Sequence, residues 1–343
     1  MTLIPDTEGH RTPALSSSLP VTVRRSSLTG RRKPKRISLA LQGGGAFGAF
    51  TWGVLDRLLE EKDVAFDAVS GASAGAINAV LLASGLSRGG RGEARASLER
   101  FWRKVSDAAD KARRDPFVPS GTMLAVVTKQ MSPYQFNPLD LNPLRDILTE
   151  EVDFDAVRMN APVRLLLGTT RVSDGALRIF RNKAITREVV LASSCLPHLH
   201  HAVEIDGEPH WDGGYAANPP LVQLVTATRA SDVLVVQIIP ANHSELPKTL
   251  PDIDRRLGQI TFSSSLQKDL EALSLMTKLS RAEGETSNSQ LGRKLQRLQL
   301  HRIAAEDHVD GLSTSSIMDT EWSFLTHLRD QGRAAAEAWK LEA

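Results

Sequence analysis

Two short stretches carry residue types at spacings suited to nucleophilic chemistry. In the first, Gly71-Ala72-Ser73-Ala74-Gly75 lies between the strand-like FDAVS and the small-residue helix AGAINAVLLAS. Strand, GxSxG and helix in that order form a nucleophile elbow, where flanking glycines permit a tight turn that projects the serine hydroxyl. The second, Gly43-Gly44-Gly45-Ala46-Phe47-Gly48, has dinucleotide-fingerprint spacing after an apolar run. A dinucleotide site also wants an acid near the end of the second strand. Here the serine turn takes that place, and the nearby Asp67 lies at the strand's start. A glycine loop at a helix start instead offers unobstructed N–H groups to a developing oxyanion, which makes Gly43, Gly44 and Gly45 candidate donors. Both loops follow neighbouring strands and should open at one edge of a sheet.

A serine hydroxyl needs a base at neutral pH. The candidates are His198, His200, His201, His210, His243, His301, His308 and His327, together with acids in turns. Asp212, in Trp211-Asp212-Gly213-Gly214, stands out among the acids. Aspartates in such turns are commonly structural, through bonds to their own backbone, but the two glycine motifs favour a catalytic reading here. A Ser-acid-His order with His243 or His301 as base is the alternative. His198-Leu199-His200-His201, with His210 nearby, lacks a defined metal-ligand spacing and reads as strand or loop residues lining the cleft. Cys195 reads as a small buried residue, and Trp52 and Trp102 as packing residues.

Taken in order, Gly43 to Gly48, Gly71 to Gly75 and Asp212-Gly213-Gly214 resemble three sequence blocks of the patatin-like phospholipase family. Ala192-Ser193-Ser194-Cys195-Leu196-Pro197 is a fourth, weaker match, and the resemblance covers about residues 37–240. It implies a three-layer α/β/α domain with a mainly parallel central sheet. The implied activity is lipid acyl hydrolysis by a Ser-Asp dyad: Ser73 attacks the ester carbonyl, Asp212 acts as base, and a covalent acyl-enzyme forms. No metal and no cofactor is implied. Gly48, Gly71, Gly75, Gly213 and Gly214 support the motifs. One departure is Phe47, where the family often carries a basic residue; an apolar contact for an acyl chain is the role expected for it. Other readings are a nonhydrolytic lipid binder on the same fold and an esterase for a specialised hydroxyacyl ester. A free aspartate, with a pKa of about 3.9, is a weaker base than imidazole. A dry, partly apolar site would raise that value and improve it as a proton acceptor.

The elements that must position these groups alternate along the chain. ISLALQ and FDAVS read as strands, and the stretch from Gly48 to Lys62 as a helix; the alternation implies a parallel sheet. A charged helical stretch from Gly89 to Asp115 leads into a loop-rich segment with Pro116, Pro119 and Pro133, a candidate lid. VRLLLGTTRV, ALRIF, HAVEI, EPHW and DVLVVQIIP read as further strands and TREVVLASSCL as a helix, with the sheet ending near Pro240. The expected organisation is a basic, disordered leader over 1–36, a catalytic domain over 37–240 and a helical extension over 251–343. That extension, with Glu321-Trp322-Ser323-Phe324-Leu325 and Trp339, resembles one carried by some bacterial members of the family.

Composition limits the function classes. Of 343 residues, 41% are hydrophobic and 24% charged, which excludes a largely disordered chain. The 42 basic and 40 acidic residues leave net +2, too balanced to suggest a nucleic-acid partner. The run Arg31-Arg32-Lys33-Pro34-Lys35-Arg36 reads first as solvated and second as a peripheral contact for an anionic membrane surface. The first twenty residues lack a basic end followed by an apolar run, and the chain has one cysteine. A cytoplasmic protein that visits lipid surfaces is therefore expected, with a lipid or other acyl ester as substrate.

Overall fold

Apolar alternation places a central sheet between two cores. In the computed structural model, residues 34–114, 130–243, 246–282, 289–309, 311–312 and 314–342 are described. Most of the expected leader, and the lid segment around Pro116 and Pro119, lie outside them. The strands are β1 (Lys35–Leu41), β2 (Val64–Gly71), β3 (Arg164–Arg171), β4 (Leu177–Arg181), β5 (Val203–Ile205), β6 (Glu208–Asp212), β7 (Asp232–Gln237) and β8 (Gln299–Ala304). They form one mixed sheet in the order β5-β6-β3-β2-β1-β7-β8, with β4 also on β3. β1, β2, β3, β7 and β8 run parallel, while β4, β5 and β6 add antiparallel pairs.

Successive side chains of a strand point to opposite faces, and both faces of this sheet are covered. Ile37, Leu39, Leu41, Leu234 and Val236 join one core, and Ala40, Val233 and Val235 join the other. The first core is closed by α1 (Gly48–Leu58), by α2 (Ala74–Arg114), which kinks at Gly89 and Gly90, and by α10 (Trp322–Glu342). The second lies under α7 (Leu221–Ala227), α8 (Leu250–Ala282) and α9 (Gln290–Arg297). The smaller helices are α3 (Pro133–Phe136), α4 (Pro143–Glu151), α5 (Phe154–Asn160) and α6 (Arg187–Ser193). Among the described residues no helix is long and apolar enough to cross a membrane.

The sheet does not end near Pro240. β8, some sixty residues later, adds a parallel edge strand to β7 from Asp232↔Gln299 to Gln237↔Ala304. Leu295, Leu298 and Leu300 read as one helical series because their spacing suits either element. The chain leaves α9 at Leu298, and β8 carries too many polar residues to declare itself a strand. Pro34–Ala343 is one unit, so the C-terminal helices complete the layers around the sheet.

The α1–α10 contact is a close approach of backbones. A Cβ at Gly332 would stand 2.1 Å from the Phe50 carbonyl oxygen, and one at Gly53 would stand 1.9 Å from that of Arg329. Around this contact Asp56 pairs with Arg95 and Arg333, and Arg57 with Glu337. Gly332→Ala should force the helices apart and cost about 1–3 kcal/mol, as overpacking does. A thermal melt that leaves the midpoint unchanged would contradict this packing.

Candidate functional site

Ser73 sits in the turn two residues beyond the end of β2 and just before the first residue of α2. Its φ of 52° lies in the left-handed region, where a side chain other than glycine is strained. The strain is held from outside the turn. The Ser73 N–H donates to the Ser193 carbonyl oxygen (3.0 Å) and hydroxyl (3.1 Å), and the Ser193 hydroxyl donates to the Gly168 carbonyl oxygen (2.7 Å). The turn can form only because Gly75 has no side chain: a Cβ there would meet the Leu41 carbonyl oxygen at 2.0 Å.

Asp212 reaches the serine through β3. Gly71, at the end of β2, is opposite Leu167, whereas Asp212, at the end of β6, is opposite Thr169, two positions further along the same strand. Two residues of strand span about 7 Å, which brings the groups that follow β2 and β6 together. Asp212 is fully buried. Its N–H donates to the Cys195 carbonyl oxygen (2.8 Å), and its own carbonyl oxygen accepts the Thr170 hydroxyl (2.7 Å). Oδ1 accepts the Gly214 N–H at 2.7 Å, and Oδ2 is buried without a hydrogen-bond partner among the described residues. Burial pushes the carboxyl up to about 7; the Gly214 N–H and the neighbouring Ser73 hydroxyl oppose this by favouring the anion. Gly213 packs against β3, where a Cβ would stand 2.1 Å from the Gly168 carbonyl oxygen.

The glycine loop runs from β1 to α1, which begins at Gly48, and is tied down from several directions. Gln42 is fully buried, and its Oε1 accepts the N–H groups of Ile238 and Ile239, both at 2.8 Å. The Gly43 N–H donates to Asn218 Oδ1 at 2.6 Å, and Asn218 Nδ2 donates to the Gly43 carbonyl oxygen at 3.0 Å. The Ala46 N–H donates to the Ile317 carbonyl oxygen (2.8 Å), and the Phe47 N–H to that of Gly44 (3.2 Å). Gly45 has φ +57°, and a Cβ there would stand 2.3 Å from the Ile317 carbonyl oxygen. Of the three expected oxyanion donors, Gly43 is therefore already engaged by Asn218. The N–H groups of Gly44 and Gly45 meet no acceptor among the described residues.

Phe47 does not face a substrate. It is almost fully buried, with its ring edge-on to Phe324 of α10 at 6.3 Å. A large side chain in an otherwise small-residue loop thus anchors the loop to the C-terminal helix. Three of the candidate histidines are engaged elsewhere. His301 Nε2 bonds Asp232 at 2.8 Å, at the start of β7 and so at the opposite end of the sheet from the serine turn. His210 shares a hydrogen bond with the Thr169 hydroxyl through Nδ1. Its proton affinity is lowered by burial first, and then by Arg178. The His201 ring lies on Tyr134 with centroids 4.1 Å apart. The described residues contain no group of three or more His, Cys, Asp or Glu suited to a metal ion. Cys195 is buried and its thiol is pushed up to about 12, by burial first and by the Asp212 charge second, which leaves it unreactive.

Asn218 is the residue that spacing does not reveal. It is fully buried, six residues after Asp212, and it holds the glycine loop by two bonds. A third runs from Nδ2 to the Phe262 carbonyl oxygen of α8 (2.9 Å), and its own N–H donates to the Ser265 hydroxyl (3.0 Å). A polar side chain between Ala217 and Pro219 is the one hint in the sequence.

A family model described as patatin-like phospholipase matches residues 39–225, more than half of the chain. The chain is 28% identical over 244 residues to the protein YjjU of Escherichia coli (strain K12), which carries the description uncharacterized. That match covers 68% of this chain and 60% of the relative, so the chain spans about three fifths of the relative's length. Among solved structures, VipD from Legionella pneumophila aligns at a TM-score of 0.38 and 16% identity, covering 88% of this chain and 67% of that one. The ExoU–SpcU complex of the type III secretion system of Pseudomonas aeruginosa aligns at 0.32 and 15%, covering 90% and 76%.

Two outcomes follow from the site's construction. Asn218→Ala leaves the Gly43 N–H and carbonyl without their partner and should destabilise the protein by about 1–3 kcal/mol, measured by denaturant titration. The Asp212 pKa is raised on folding, so the folded state binds a proton more tightly than the unfolded chain, whose carboxyl titrates near 3.8. Stability from this group is full below about pH 4 and is lost as pH rises through about 7, by up to about 1.4 kcal/mol per pH unit. Asp212→Asn should therefore raise the melting temperature more at pH 8 than at pH 4; an equal shift at both would contradict the raised pKa.

Proposed function

The chain belongs to the patatin-like phospholipase family, and on that premise we propose that it hydrolyses carboxylic esters of lipids through a Ser73–Asp212 dyad and a covalent acyl-enzyme. The observation that carries this reading is the fully buried Asp212 carboxyl, with Oδ2 free of other partners and the Ser73 hydroxyl beside it. A proton acceptor is most effective when its affinity lies near the working pH, and burial brings this carboxyl there without a histidine.

In the forward step Oδ2 takes the Ser73 proton as Oγ bonds the ester carbonyl carbon. The carbonyl oxygen becomes an oxyanion facing the N–H groups of Gly44 and Gly45. These are fixed in advance by the bonds at Gly43 and Ala46, so little reorganisation accompanies the charge. Collapse breaks the bond to the leaving alcohol, which departs with the proton held on Asp212. Water then attacks the Ser73 ester as Asp212 takes its proton; collapse breaks the acyl–Oγ bond, Asp212 returns that proton to Ser73 Oγ, and the fatty acid leaves. The small residues Ala72, Ala74 and Gly75 around the hydroxyl leave room for a carbonyl group.

Release of fatty acid from short-chain esters, lysophospholipids and phospholipid vesicles tests the proposal. Ser73→Ala and Asp212→Asn should each lower kcat by about a thousandfold or more, and wild-type rates in either variant would refute the dyad. Because Asp212 acts as base only when ionised, kcat/KM should rise with pH through about 7 and then level.

A further inference from the structure

The first half of α8 is an inverted helix. Its outward face exposes Leu250, Ile253, Leu257 and Ile260, at intervals of three and four, while Gln259 and Ser263 are buried on the face toward the sheet. A helix that only covers a core in water shows the reverse pattern. The next turn holds the candidate site. The Phe262 ring lies 4.9 Å from that of Tyr215 and would collide with a Cβ at Gly214, while Phe262 and Ser265 both bond Asn218. The apolar stripe thus continues into the residues that hold the base turn and the glycine loop. Tyr215, three residues from Asp212, is itself exposed beside it.

From these observations we infer that this face of α8 docks on a lipid surface and so presents the Ser73–Asp212 cleft to ester substrate within that surface. The inference rests on the reading of the site as a lipid acyl hydrolase. The four side chains expose roughly 400 Å², about half of what each partner buries in a stable dimer, so a second copy of the chain is the weaker occupant. The charges on the stripe's turns have partners already: Arg255 pairs with Asp252, and Arg256 bonds the Ala241 carbonyl oxygen and Gln259. With those guanidinium groups engaged, docking is driven by apolar burial in the interfacial layer and not by attraction to anionic headgroups. A second exposed apolar group reaches the same aspartate by another route. Met131, Tyr134, Leu139 and Leu141 are exposed on and to either side of α3, and Tyr134 stacks on His201, whose carbonyl oxygen accepts the Cys195 thiol.

The test is flotation of the full chain with phosphatidylcholine vesicles, beside hydrolysis of a monomeric short-chain ester, for wild type, Ser73→Ala and the double variant Leu257→Gln, Ile260→Gln. Wild type and Ser73→Ala should bind the vesicles alike, with little change between about 0.05 and about 0.5 M salt. The double variant should bind at least about tenfold more weakly and cleave the monomeric ester within about twofold of wild type. Vesicle binding by the double variant at the wild-type level, absence of binding by the wild type, or a wild-type dimer that the substitutions dissociate would each overturn the docking face. Absence of ester cleavage by the wild type, with stripe-dependent binding retained, would instead overturn the hydrolase reading.

Discussion

A carboxyl group kept away from water has a proton affinity set by the few groups around it, and in this protein that group is Asp212. Every wall of its chamber comes from a different part of the chain: Cys195 and Gly214 through hydrogen bonds, Thr170 through the backbone beside it, and Ser73 through its hydroxyl. The carboxyl stays dry only if all of these remain packed, which explains why glycines meet carbonyl oxygens so closely at Gly75 and Gly213. The tight packing excludes water, and the excluded water raises the carboxyl toward neutrality. The same burial makes the carboxyl a source of instability above neutral pH.

The glycine loop illustrates a second consequence of the same packing. Loops rich in glycine lose much conformational freedom on folding, and their N–H groups become ordered donors only when something else fixes them. Here Gln42 ties the loop's start to the end of β7, Asn218 grips Gly43, and Ile317 with Phe324 hold Ala46 and Phe47. Three of these four anchors lie outside the loop's own neighbourhood in sequence, and two lie in the C-terminal region. That region therefore acts as a buttress of the site.

α8 joins the inside of the molecule to its surface. One turn supplies the carbonyl and hydroxyl oxygens that hold Asn218, and the preceding turns face outward with leucine and isoleucine. A helix with its polar residues turned in and its apolar residues turned out gains nothing from water. Its arrangement fits the proposed action of the neighbouring site on lipid esters.

The sequence by itself determined the local parts. Glycines at 43, 45, 71 and 75 mark backbone turns, and a turn is governed by the dihedral preferences of the residues within it. The order of strands through Gln237 followed from apolar periodicity for the same reason, whereas the helices over Pro143–Glu151, Phe154–Asn160 and Leu221–Ala227 did not show in it. The membership of β8 in the sheet, the burial of Phe47 against Phe324 and the engagement of Gly43 by Asn218 were decided by tertiary structure alone. Each depends on residues more than sixty positions apart, and no local preference encodes such a pairing. His301 is a case in point: its residue type suited a base, but the strand carrying it bonds Asp232 at the far end of the sheet. The aspartate's type could likewise be read directly, whereas its elevated proton affinity arises only when the folded chain closes over it.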